Sequence, residues 1–153
     1  MQKACTLVCA MVLLAGTAAA GDLAFGPRIG YTHDSSLDQF HFGGHVVVPH
    51  LTTNLHLIPS LEIGVGDGTL TALNGDIVYE FTELASGRWS FYGGGGPVLT
   101  YYTNEGRDST DFALSLVAGA TYDLDTGREL LGELRIGLED APTLKLTVGL
   151  TFF

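Results

Sequence analysis

Beyond residue 20 this chain has no cysteine, because Cys5 and Cys9 both lie in the first twenty residues. A disulfide framework is therefore excluded for the remainder. No run of about eighteen apolar residues follows either, which excludes helical membrane spans. Basic residues are scarce: seven Lys and Arg stand against seventeen Asp and Glu, a formal charge of −10. That balance argues against nucleic acid as a partner. There is no helical apolar period, linker or second compositional block, so the chain reads as one domain.

The most informative absence is positional. In eight stretches every second residue avoids charge completely, although 16% of the chain is charged. These sets are Leu23 to Tyr31, Leu55 to Val65, Thr71 to Phe81 and Trp89 to Tyr101 on odd numbers. Phe40 to Val48, Phe112 to Tyr122, Leu130 to Leu138 and Leu144 to Phe152 follow on even numbers. A strand's side chains alternate between its two faces, so each stretch presents one oily face. Strands are expected near 22–33, 38–49, 54–66, 69–82, 88–103, 110–123, 128–139 and 142–153, separated by Gly, Pro, Asn and Asp clusters.

The other face carries Gly26, Gly30, Gly43, Gly64, Gly94, Gly96, Gly119, Gly137 and Gly149 with few charges. A solvated exterior carries many more charges, whereas small residues suit a crowded lumen. The oily face is therefore expected to point outward into lipid. In hydrocarbon an open sheet leaves an edge of unpaired backbone groups, so the sheet must close. The expected fold is all-β: an eight-stranded antiparallel transmembrane up-and-down β-barrel.

Aromatic placement supports this reading. Phe25, Tyr79, Phe81, Trp89, Phe91, Tyr122 and Phe152 fall toward the end of the strands that carries the termini. Tyr31, Phe40, Phe42, Tyr101 and Phe112 fall toward the other end. Two belts separated by aliphatic residues match two membrane–water interfaces.

Residues 1–20 read as a cleaved signal peptide, leaving 21–153 as the barrel. Lys3 supplies the positive start, Leu7 to Leu14 the apolar core, and Ala18-Ala19-Ala20 the small-residue cleavage site. With the signal, the strand pattern and the ending Leu-Thr-Val-Gly-Leu-Thr-Phe-Phe, the chain resembles the small eight-stranded bacterial outer-membrane β-barrels of the OmpA and OmpX type. The resemblance covers the whole of 21–153. It implies residence in the outer membrane, contact with lipid and lipopolysaccharide, and delivery by the outer-membrane insertion machinery. That machinery reads a terminal aromatic residue in the family, a role open here to Phe152 or Phe153, since the apolar alternation runs through Phe152.

An eight-stranded barrel is narrow enough for side chains to fill. The inward set includes Arg28, Arg135 and Lys145 on strands 1, 7 and 8, which closure makes neighbours. Glu62, Asp76 and Glu80 lie across the lumen on strands 3 and 4, and Glu133 lies near the basic group. A cross-lumen ion-pair network is expected, because buried charges persist only when paired. A plug that fixes barrel shape and a narrow ion path both follow from such a network.

The remaining chemistry is diffuse. Asp34, Asp38, Asp67, Glu105, Asp108, Asp111, Glu139 and Asp140 form an acidic rim on the exterior side, without the spacing of a calcium loop. His41 and His45 are four apart on one strand, roughly 13 Å, too far to share one metal. No metal and no cofactor are expected. Gly93 to Gly96 is no phosphate loop, since neither a helix nor a Gly-Lys-Ser/Thr ending follows. His33-Asp34-Ser35 is similar to the His-x-Ser element of outer-membrane enzymes that remove lipid A acyl chains, with Glu139 or Asp140 as the acid. Ser36 replaces that family's Asn, and a polar turn explains the same residues. The chain is accordingly expected to be non-enzymatic, with an envelope structural or interaction role.

Overall fold

In the computed structural model the described residues are 23–34, 37–66, 68–104, 107–125, 127–138, 142 and 144–153. They form β1 (Ala24–Asp34), β2 (Leu37–Thr52), β3 (Leu55–Gly66), β4 (Gly68–Glu80), β5 (Trp89–Asn104), β6 (Arg107–Asp123), β7 (Arg128–Leu138) and β8 (Leu144–Phe152). Each strand pairs antiparallel with its sequence neighbours, and β8 pairs with β1 to close the barrel. Closure removes both sheet edges. The expected signal peptide lies outside the described residues.

The alternation sorts the side chains as the sequence pattern requires. Phe40 on β2 and Ile29 and Phe25 on β1 are 67, 63 and 63% exposed, whereas Arg28 and Thr32 on the other face of β1 are buried. Val48 departs from its set: it is buried, and the β2–β3 register shifts between Val48 and Thr52. Pro49 lies in that shift. Prolines also mark the other interruptions of the ladder. Pairing skips Pro27 between Phe25 and Arg28 on β1, Pro59 between His45 and Val48 on the β2 side, and Pro97 between Asn74 and Ile77 on the β4 side. A proline has no N–H to contribute, so a strand can hold one only where the ladder yields.

Element ends differ from expectation by three residues in two places, and by at most two elsewhere. β2 runs three residues past 49, through the shifted register, and β6 begins at Arg107 instead of 110. The β5–β6 hairpin is thereby paired up to Asn104 and Arg107. Its tip residues Ser109, Thr110 and Asp108 are polar and exposed, so this extension projects into water.

Inside, the lumen is layered. On each of three strands an apolar residue separates a polar mouth residue from the charged centre: Ile58 follows His56, Val78 precedes Glu80, and Leu131 follows Glu129. Tyr92 and Val117 complete this buried apolar collar. Crowding explains two of the inward glycines. A Cβ on Gly119 would stand 2.3 Å from the Tyr92 ring, and one on Gly30 would stand 2.6 Å from the His41 ring. Each ring lies over the glycine paired with it across the ladder.

Candidate functional site

The centre of the lumen is an ion-pair network built from five strands. Arg135 on β7 reaches Asp76 on β4 through two hydrogen bonds of 2.8 and 2.6 Å, and donates a third to Ser115 Oγ at 2.7 Å. The planar guanidinium matches both carboxylate oxygens at once. Arg28 on β1 contacts Glu62 at 3.2 Å and Glu133 at 2.9 Å. Lys145 on β8 donates to the second Glu62 oxygen. The Tyr92 hydroxyl donates to the second Glu133 oxygen at 2.9 Å. Three cations thus face three carboxylates, and none of the six residues is more than 6% exposed. This compensation is what allows such charges to stay out of water.

Glu80 does not join them. It lies four residues along β4 from Asp76, roughly 13 Å toward the mouth, with the Val78 layer between. Its partner is His56, at 3.3 Å. The other lumen histidines serve as hydrogen-bonding links: His41 bridges Thr32 and Thr147 at 3.0 Å each, and His45 reaches Thr151 at 2.9 Å. Among the described residues no three His, Cys, Asp or Glu side chains converge as a metal site requires.

Two further regions frame this centre. At the mouth on the terminal side, between the collar and solvent, lies a cavity of about 150 Å³ bordered by His56, Glu80, Ser90, Thr121 and Glu129. Beside it, Arg88 and Asp125 pair at 2.6 Å across two turns, and that carboxylate raises the arginine's pKa. At the opposite rim, His33 Nδ1 pairs with Asp38 at 2.6 Å. Ser35, Ser36, Asp67, Glu105, Glu139 and Asp140 lie outside the described residues. The His-x-Ser element is therefore described only through His33 and Asp34, and His33 is engaged by Asp38.

On the outer surface the expected aromatics are all at least partly exposed, and several touch. Trp89 packs on Tyr122 and Phe91 with centroids 4.9 and 6.4 Å apart, Tyr79 on Phe81 at 5.5 Å, and Phe25 on Phe152 at 6.3 Å. Toward the other end Tyr31 packs on Phe40 at 5.3 Å, with Phe42, Tyr101 and Phe112 also outward. Phe153 is 68% exposed, and its N–H donates to the Gly127 carbonyl.

Sequence reasoning missed the apolar collar. Its signal was present, since Ile58, Val78 and Leu131 are apolar residues at inward positions, each flanked two residues on by an acid or a hydroxyl.

With this geometry in place, comparison with solved structures is informative. The N-terminal β-barrel domain of Pseudomonas aeruginosa OprF superposes with a TM-score of 0.65 at 14% identity, over 84% of this chain and 96% of that one. Neisserial surface protein A gives 0.61 at 14% identity, over 85% and 94%. A transmembrane β-barrel designed de novo gives 0.64 at 17% identity, over 86% and 94%. This chain has the fold of the small eight-stranded outer-membrane β-barrels. No family model matches the sequence, and no curated protein matches it. A designed barrel shares the fold as fully as natural ones do, so the likeness concerns architecture and leaves activity to the site.

Proposed function

We propose that the chain is a non-enzymatic integral outer-membrane protein, exported through a cleaved signal peptide, whose lumen is a structural plug. One observation carries this reading: the charged lumen is self-compensated and backed by an apolar collar, while the uncharged face is the exposed one. A compensated centre offers a permeating ion no net attraction, and the collar adds a dry layer that a hydrated ion must cross. The outward aliphatics and two aromatic belts fit lipid tails and headgroup boundaries. Acidic residues of the exterior rim, including Asp34, Asp38, Asp108 and Asp111, suit divalent cations shared with lipopolysaccharide. The aromatic ending at Phe152 and Phe153 suits recognition by the insertion machinery. The role that follows is support of the envelope and interaction at its surface.

Planar-bilayer recording tests the plug directly. Pure refolded protein is expected to give no current steps, and a steady unitary conductance would replace this reading with a narrow pore. Incubation with lipid A is expected to release no acyl chain, and a released chain would make the protein an enzyme.

A further inference from the structure

The cavity at the terminal mouth has a construction that a plug does not need. Its floor is the collar, where Ile58, Val78 and Leu131 are buried. Its border carries two carboxylates, Glu80 and Glu129, against the His56 and His45 imidazoles, and no lysine or arginine among the described residues. His56 is committed to Glu80, whereas Glu129 makes no ion pair among the described residues. Asp123 sits opposite Glu129 in the β6–β7 register and adds to the negative field. An unpaired carboxylate partly withdrawn from water favours a cation that restores the lost interaction. An apolar floor favours methylene groups at the same time.

We propose that this cup binds a short primary alkylammonium, with its methylenes on the collar and its nitrogen at Glu129 and Glu80. The order of the layers sets the polarity: the apolar end enters first and the charge stays at the mouth. A cavity of about 150 Å³ has room for a short alkyl chain, such as that of a four-carbon amine. Anions of the same size meet the two carboxylates and are excluded. The ion-pair network beneath the collar is already balanced and plays no part in the selection.

The test is a titration of the folded protein in neutral-detergent micelles with n-butylammonium, followed by methyl NMR, with butyrate as the matched anion. Saturable shifts are expected at the Ile58, Val78 and Leu131 methyls with the amine and none with butyrate. Glu129→Gln and Glu80→Gln, which keep shape and remove charge, should each weaken binding about fivefold. Heat-modifiable gel migration establishes that each variant is folded. The proposal is overturned if those methyls do not saturate, if only lipid-facing methyls such as those of Leu116 respond, or if butyrate binds equally. Unchanged affinity in both variants would also overturn it. None of these results bears on ion conductance, so the plug reading stands or falls separately.

Discussion

Arg135 and Asp76 show what a single residue contributes to this lumen. The pair is buried, bidentate and shared with Ser115. Replacing Arg135 with methionine strands a buried carboxylate, and such a break costs about 3–5 kcal/mol. The double variant with Asp76→Leu removes both charges and is expected to recover most of that loss. Urea midpoints for unfolding from lipid vesicles would check both, and equal losses in the single and double variants would contradict the argument. At the same scale Gly119 matters through what it leaves out, because any Cβ there collides with the Tyr92 ring that donates to Glu133.

At the scale of the strand, position along the element decides what a substitution costs. Leu116 lies mid-strand on β6, outward and exposed, between Gly95 and Ile136 on the neighbouring strands. Leu84 is equally exposed but sits in the turn between β4 and β5. Leu116→Arg should cost about 2–4 kcal/mol in a bilayer, and Leu84→Arg about 0–1 kcal/mol. The same vesicle-unfolding measurement distinguishes them, and similar costs at both sites would mean that Leu116 does not face acyl chains. The strands themselves were legible because alternation is a local signal. Their ends were less so: β2 continues past Pro49 only because its register with β3 shifts there, a property of the pair and not of either strand.

For the whole molecule, closure between β8 and β1 is the feature on which stability in lipid depends. A closed barrel leaves no backbone edge to unzip, so it should resist dodecyl sulfate until boiled. Unboiled and boiled samples are expected to migrate differently on a gel, with extraction from membranes requiring detergent. A chain that stayed dissolved and monomeric without detergent would mean that the oily face is turned inward. Closure also brings β1, β7 and β8 together, which is how Arg28, Arg135 and Lys145 come to share one region of the lumen.

Apart from Val48, at the register shift of β2, the sequence by itself determined which side chains face out and which face in, the number of strands, and the pool of charges available to the interior. These follow from a period of two, which any short segment carries alone. Only the tertiary structure decided which charges meet. Glu62 holds both Arg28 and Lys145, Asp76 takes Arg135, Glu133 joins Arg28 and Tyr92, and Glu80 is left at the mouth with His56. Those choices depend on the relative heights of residues from different strands. Height is set by the register of every pair around the closed sheet, and no single segment encodes it.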